Sequence, residues 1–354
     1  MNEKLIENMI RDINNTSLKG TRLMEVCGSH THAIGKFGIR GLLGSNIELL
    51  SGPGCPVCVT DVSIIDTAIE ILDRDNVILT TFGDILRVKG SHESLLDQRR
   101  GGKAIKILYT PFEALEIAEN NREKSIVFLA VGFETTAPVI ASAIKLAREK
   151  NIANLYFLCS LKLMPPVMHL VLDKAYNNIH GIICPGHVAS VMGADYFKFI
   201  SHEYGIPAVI TGFEALDIIR AIHELTLYRK DISLRKFKNL YERSVSSQGN
   251  KLAQEVIREV FDVGDTEWRG IGYIPGSSLI LKEGYSQLDA VKKYNIKVTS
   301  KISDSQCLCK EILIGRKKPV NCNAFGRECT PVHPLGPCMI SSEGSCAAYY
   351  KYHI

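Results

Sequence analysis

The cysteines of this chain are unevenly distributed, and their grouping suggests metal or redox chemistry. The sequence has 354 residues and 11 cysteines. Six of the eleven lie close together near the C-terminal end: Cys307, Cys309, Cys322, Cys329, Cys338 and Cys346. Thiolates are soft ligands that suit zinc and iron–sulfur clusters. This segment is therefore the first candidate for a metal centre.

The spacing of the last four cysteines favours an iron–sulfur cluster over zinc. They follow the pattern C-x6-C-x8-C-x7-C, whereas structural zinc usually takes pairs separated by two to four residues. We expect a 4Fe-4S cluster on these four ligands: Cys322, Cys329, Cys338 and Cys346. Zinc, reduced thiols and disulfides are the alternatives. Cys307 and Cys309 could replace two ligands or form a nearby redox pair, and the sequence prefers neither.

A second chemical motif lies near the N-terminus, where Cys27 is followed by His30 and His32. One soft sulfur and two imidazoles within six residues form a plausible metal-binding set, and the glycine after the cysteine lets a ligand approach the backbone. The alternative is a buried cysteine with two histidines at the start of a helix.

A third motif is the Cys-x-x-Cys pair formed by Cys55 and Cys58 in Gly52–Cys58. It follows a predicted strand and leads into a helix, whose N-terminus would stabilise a thiolate. The pattern therefore predicts a redox dithiol, against the alternative of two buried core cysteines. Glu134 follows another strand and is either a site residue or a first-turn acid favoured by the helix dipole.

The elements that position these motifs alternate in type between about residues 20 and 285. Short apolar runs are followed by amphipathic stretches, which predicts α/β architecture: two lobes of mostly parallel sheets flanked by helices, plus a small cysteine-rich iron–sulfur region at the C-terminus. We expect a first lobe in residues 1–124, which 212–300 could complete, a second in 125–211, and the cluster region in 301–354. Residues 229–265 are rich in charge and predict helices with turns.

Composition excludes several classes of protein. The formal net charge is +4 and 45% of residues are hydrophobic, which fits neither a disordered chain nor a polybasic nucleic-acid binder. No apolar stretch is long enough for a transmembrane helix, and the N-terminus lacks the pattern of a secretory signal. Nucleotide-binding glycine motifs are also absent. We therefore expect a cytoplasmic protein that binds neither nucleic acid nor membrane.

Taken together, the motifs resemble the HypD family of nickel–iron hydrogenase maturation factors. The resemblance rests on five segments in order: Cys27–His32, Gly52–Cys58, Gly132–Pro138, Pro185–Val188 and the cysteine-rich tail ending in Glu343–Tyr350. It covers the chain from about residue 20 to the end and implies two α/β lobes with a small 4Fe-4S region.

The resemblance also implies a role and partners. HypD-like proteins assemble the Fe(CN)2CO unit of the hydrogenase with the small chaperone HypC, and HypE supplies the cyanide groups. Cys27 would hold the iron, and Cys55 with Cys58 would be the redox dithiol. The tail cysteines would hold the cluster. We expect His30, His32 and Glu134 to hydrogen-bond the cyanides or to move protons.

Two other readings use the same residues. A stand-alone iron–sulfur thiol–disulfide oxidoreductase would turn over small disulfides without a partner, and a binding module would use the tail for stability alone. Neither needs a lone cysteine beside two histidines. We therefore favour an assembly factor with redox-active thiols and no independent turnover.

Overall fold

The computed structural model describes residues 2–173, 178–231, 233, 236–298 and 307–353. Its strands are β1 (Thr21–Glu25), β2 (Ile47–Ser51), β3 (Val77–Thr81), β4 (Ile105–Ile107), β5 (Ser125–Gly132), β6 (Leu155–Lys162), β7 (Gly181–Pro185), β8 (Ala208–Thr211), β9 (Phe237–Asn239), β10 (Phe261–Trp268) and β11 (Gly272–Leu281).

The α-helices precede, separate and follow these strands. They are α1 (Asn2–Thr16), α2 (Gly28–Lys36), α3 (Ile39–Leu42), α4 (Pro56–Val59), α5 (Val62–Leu72), α6 (Leu95–Arg100), α7 (Phe112–Glu119), α8 (Ala137–Glu149), α9 (Met164–Leu172), α10 (Gly186–Met192), α11 (Lys198–Glu203), α12 (Ala215–Lys230), α13 (Lys251–Val260), α14 (Ala290–Tyr294), α15 (Cys309–Leu313) and α16 (Ser345–His353). None of the helices among the described residues has the length and apolar character needed to cross a membrane.

The first compact unit contains a parallel sheet with strand order β2-β1-β7-β8-β9. Its described parts fall within residues 1–55, 167–251 and 306–354. In this sheet Glu25 of β1 is in register with Ser51 of β2 and with Ile183 of β7. The loops that follow these three strands therefore start at one edge, which is where ligands bind in open α/β sheets.

The second unit falls within residues 56–166 and 252–305, and its sheet has the order β10-β11-β6-β5-β3-β4. The four strands from β3 to β6 are parallel, whereas the hairpin of β10 and β11 joins β6 in antiparallel orientation. The run from Ile126 to Ala130 in β5 is fully buried, as expected for a central parallel strand covered on both faces.

The predicted α/β class with parallel sheets flanked by helices is confirmed, but the division of the chain differs from the expected one. Because β7 pairs with β1 and β8 pairs with β7, residues 167–251 join the N-terminal strands and do not complete a lobe at 125–211. The boundary expected at 301 lies outside the described residues. The described tail, 307–353, belongs to the first unit.

One secondary-structure prediction needs correction. Residues 229–265 were expected to be helical with turns, but the segment includes β9 and the first half of β10. Val263 and Asp265 of β10 are exposed, whereas Phe261 and Trp268 at its two ends are buried. Such a strand at a sheet edge carries polar residues that resemble those of a solvated helix.

Candidate functional site

Cys27 occupies a tight corner between β1 and α2. Its side chain is 8% exposed, and it is the last residue before the helix begins at Gly28. The Gly28 amide donates to the Gly54 carbonyl at 2.9 Å. A Cβ added to Gly54 would lie 2.3 Å from the Cys27 nitrogen, so only glycine lets these two loops approach so closely. The structure therefore places Cys27 beside the loop that carries Cys55.

A carboxylate from the far end of the chain completes the surroundings of Cys27. Burial, followed by the charge of Glu343, raises the pKa of the Cys27 thiol to about 12. Glu343 Oε1 accepts a hydrogen bond from Ser29 Oγ at 2.7 Å, and a Cβ on Gly28 would lie 2.4 Å from the Glu343 Cβ. Cys27 is thus a protonated thiol at neutral pH, and binding a metal ion would displace its proton.

His30 lies in the same corner but is completely buried. Its Nε2 is 2.9 Å from the carbonyl oxygen of Gly212, and its ring stacks on Phe213 with centroids 4.5 Å apart. Burial lowers the His30 pKa to about 4, so the ring is neutral at pH 7. Phe213 also stacks on the exposed ring of His187 at 4.0 Å. The loops at the carboxyl ends of β1, β8 and β7 therefore supply the three stacked rings of His30, Phe213 and His187.

His32 points to the tail. Its Nδ1 is 3.3 Å from the Ser342 carbonyl oxygen, and its Nε2 is 3.2 Å from the Tyr352 hydroxyl. Because a carbonyl only accepts, this arrangement assigns the proton to Nδ1 and makes Nε2 the acceptor. His32 therefore connects α2 to α16 in this structure. Hydrogen bonding to cyanide or proton transfer by His32 stays a prediction.

Cys55 and Cys58 are joined by a disulfide. Cys55 is 3% exposed and Cys58 is fully buried. The short helix α4 contains Cys58, and the chain passes from the first unit to the second between Cys55 and Pro56. The pairing that a redox dithiol requires is thus present, and the sulfur atoms are shielded from solvent.

Glu134 belongs to the second unit and lies directly after β5. It is 1% exposed, and its Oε1 accepts a hydrogen bond from the Met164 amide at 2.7 Å. This bond ties the end of β5 to the start of α9, so Glu134 has a structural contact of its own. A role toward iron or cyanide stays a prediction.

The tail brings its cysteines together. Burial raises the pKa of Cys346 well above its ordinary value, and the charges of four other thiols add to the shift: Cys309, Cys307, Cys329 and Cys322. Burial also raises the pKa of Cys329, with Cys307 and Cys322 contributing. Within the described ranges, no three His, Cys, Asp or Glu side chains converge at the spacing of a single metal ion. Several buried thiols that disfavour one another's ionisation suit a multinuclear positive centre, because the centre would neutralise their thiolates.

Cys338 lies against a cysteine outside the predicted set of four ligands. Its Sγ lies 3.0 Å from the Sγ of Cys309, and both side chains are buried. The structure therefore places the two residues whose roles were unresolved, Cys307 and Cys309, in the same group as the four predicted ligands.

The sequence motifs missed Glu343 and Phe213 as site residues. Both come to Cys27 and His30 through tertiary contacts, since Ser29 and Glu343 are 314 positions apart. The one local signal was the glycine at position 28, which marks a close approach without naming the residue that makes it.

Comparison with known proteins gives consistent matches. The HypD family, described as "Hydrogenase formation hypA family", matches residues 4–353. "Hydrogenase maturation factor HypD" of Escherichia coli (strain K12) is 41% identical over 338 residues, covering 95% of this chain and 90% of that protein. The protein of the same name in Azotobacter vinelandii is 41% identical over 339 residues, covering 94% and 89%. That of Rhodobacter capsulatus is 38% identical over 352 residues, covering 98% and 93%. With the expected motifs placed on two α/β units, these matches show that the chain belongs to the HypD family of hydrogenase maturation factors.

Proposed function

We propose that this chain is the scaffold on which the Fe(CN)2CO unit of nickel–iron hydrogenase is assembled, with iron held at Cys27. The observation that carries the proposal is the corner around Cys27, where a buried thiol meets Glu343, His30 and the loop before Cys55. Iron with cyanide and carbonyl ligands is electron-rich, and thiolates are suitable soft ligands for it. A HypC-like chaperone would share the iron, and a HypE-like protein would donate cyanide.

The residues around Cys27 define how the thiol becomes a ligand. The thiol is protonated at neutral pH because it is buried near the Glu343 carboxylate. Loss of its proton accompanies iron binding, and the positive ion then cancels the unfavourable charge interaction between thiolate and carboxylate. Neutral His30 stays on Gly212 and Phe213, where it holds the start of α2 against the end of β8.

The tail residues fit a 4Fe-4S cluster, and the spacing assigns its ligands to Cys322, Cys329, Cys338 and Cys346. Cys338 Sγ lies 3.0 Å from Cys309 Sγ, and Cys307 acts on both Cys329 and Cys346, so these two further thiols lie beside the four ligands. When bound, the cluster supplies electrons one at a time. Reduction of the Cys55–Cys58 disulfide to two thiols consumes two electrons and two protons.

The burial of the disulfide argues against the alternative of a stand-alone oxidoreductase. An attacking thiolate must reach a sulfur atom along an open path, and Cys55 and Cys58 are 3% and 0% exposed. A disulfide in this setting suits internal electron transfer better than turnover of small external disulfides.

Anaerobic purification with a HypC-like partner, followed by infrared spectroscopy, tests the iron site. We expect cyanide and carbonyl bands from the wild-type complex and none from Cys27→Ala, because the anchoring sulfur is gone. Cys184→Ala is the matched control, since Cys184 is a fully buried cysteine of β7 in the same unit, and its bands should persist. Retention of the bands in Cys27→Ala would refute the anchoring role.

A further inference from the structure

The tail has an open pocket beside one of the proposed cluster ligands. It measures about 500 Å³, and its walls include Lys317, Asn321, Cys322 and Arg327. Cys322 is partly exposed, whereas Cys329 and Cys346 are each 7% exposed. The pocket therefore reaches the cluster ligands from solvent at Cys322.

The rim of this pocket is positively charged. Lys317 and Arg327 are both exposed, and neither forms an ion pair with any residue in the part of the chain that the structure describes. Glu328 is the one carboxylate among the lining residues. Across residues 307–353 there are six Lys and Arg against three Glu. Two unpaired cations at the mouth of a pocket attract an anionic partner.

The same segment exposes apolar side chains. Val320 is 55% exposed, Val332 75% and Leu335 44%. Val320 directly precedes Asn321 of the pocket wall, and exposed apolar side chains together with arginine and lysine are typical of a protein-binding surface more than of a site for a small ion. Encounters between redox proteins are transient and bury little surface, so a few charged and apolar side chains are enough for such a complex.

We propose that the surface formed by Lys317, Arg327 and the pocket at Cys322 docks an acidic protein that delivers single electrons to the tail cluster. The inference rests on the proposed function, because it requires the cluster. In each electron transfer the donor protein loses one electron and the cluster gains it, and no bond forms or breaks. An acidic iron–sulfur or flavin protein fits this surface by charge.

Stopped-flow reduction of the reconstituted protein tests the surface. The probe is a small acidic 2Fe-2S ferredoxin, reduced beforehand, and the observed signal is the bleaching of the tail cluster. At low ionic strength we expect Lys317→Glu and Arg327→Glu each to slow the second-order rate about tenfold, because complementary charge mainly sets the association rate. Added salt should slow the wild-type reaction and so reduce the difference in rate between the wild type and the two variants. Lys106→Glu is the control. Lys106 is an exposed lysine on β4, and its substitution should leave the rate unchanged.

A second reductant separates the two hypotheses. Photoreduced deazariboflavin, which is uncharged, should reduce the wild type and all variants at one rate. If no reducible cluster forms in the wild type, the proposed cluster fails. If the cluster forms but charge reversal at Lys317 and Arg327 changes the ferredoxin rate no more than Lys106→Glu does, the docking surface is overturned. Inhibition by inorganic phosphate without any effect of either substitution would also overturn it, in favour of a small-anion site.

Discussion

Lys162 is a normally exposed residue type in an almost fully buried position. It lies at the end of β6, is 1% exposed, and its Nζ donates to the Glu267 carbonyl at 2.6 Å. The ammonium also lies 5.1 Å from the centre of the Trp268 ring. Burial lowers its pKa to about 7, although the charges of Asp61 and Glu267 oppose the shift. A cation held so far from water makes the second unit sensitive to pH.

We expect the stability difference between wild type and Lys162→Met to depend on pH. Between pH 7 and 10.5 the unfolded lysine holds a proton that the folded one has lost, so stability rises with pH. As pH falls from 10.5 to 7, the free energy of unfolding of the wild type should therefore decrease relative to that of Lys162→Met, by at most about 1.4 kcal/mol per pH unit. Below pH 7 the difference should stay constant. Urea unfolding of both proteins at several pH values measures it.

Lys106→Met is the control for that series, because Lys106 is exposed on β4 and should give a difference that does not vary with pH. An equally flat difference for Lys162→Met would show that the ammonium is stabilised by its neighbours and titrates normally.

The sequence could predict the chemistry of a residue where that chemistry depends on residue type and local spacing. Cys55 and Cys58 are three positions apart, and the structure joins them. Glu343 and Lys162 could not be read in this way, because their significance comes from burial and from partners distant in sequence. Cys338 shows the same limit, since the thiol 3.0 Å from its sulfur belongs to Cys309, 29 positions earlier.

At the scale of elements, the functional corner depends on parallel strands that end together. Glu25 and Ser51 are in register, so the loops after β1 and β2 leave the sheet side by side. The contact between them is made by backbone: Gly52 donates to the Glu25 carbonyl at 2.7 Å, and Gly28 donates to the Gly54 carbonyl at 2.9 Å. A side chain at Gly54 would force these loops apart.

Gly54→Ala should therefore destabilise the protein and reduce iron loading. Its Cβ would lie 2.3 to 2.5 Å from backbone atoms of Val26 and Cys27, and overpacking of this kind costs about 1–3 kcal/mol. The measurement is the urea midpoint together with the intensity of the cyanide bands.

Gly41→Ala provides the comparison, because nothing lies within 4 Å of its added Cβ and alanine favours the helix. It should leave both quantities unchanged or raise the midpoint slightly. A Gly54→Ala protein with wild-type midpoint and bands would show that the corner adjusts without cost.

The elements that the sequence missed have a physical explanation. Helix α13 runs directly into β10, with Val260 ending one and Phe261 beginning the other. No glycine or proline separates them, so the sequence contains no helix-breaking residue that would mark the boundary. The parallel strands of the second sheet were predictable because continuous apolar runs such as Ile126 to Val131 belong to buried strands.

At the scale of the whole molecule, the class of fold followed from alternation of strands and helices, whereas the grouping of elements did not. Met24 of β1 is in register with Ile182 of β7, 158 positions later, and no local pattern reports such a pairing. The tail shows the same principle. It joins the first unit through contacts with α2 and β1, including the packing of Gly35 against Tyr352 and of Gly315 against Met24.

These contacts couple the proposed cluster region to the corner that contains Cys27. Cys346 lies in α16, the helix that also carries Tyr349 and Tyr352. The Arg40 guanidinium lies 4.4 Å from the centre of the Tyr349 ring and pairs with Glu25 at 3.4 Å. Metal binding to a small segment contributes directly to its folding free energy. Loss of the cluster should therefore loosen α16, and with it the helix that follows Cys27.

Hydrogen exchange before and after anaerobic iron chelation measures this coupling. We expect amides of α16 and of α2, Gly28–Lys36, to exchange about tenfold faster after chelation, equivalent to about 1.4 kcal/mol of lost local stability. Amides of α5, Val62–Leu72, belong to the second unit and should keep their rates. Faster exchange in α16 alone would mean that α2 is stable without the tail. Equal acceleration in all three helices would mean that chelation unfolds the chain globally, and either result would contradict a specific link between the cluster region and Cys27.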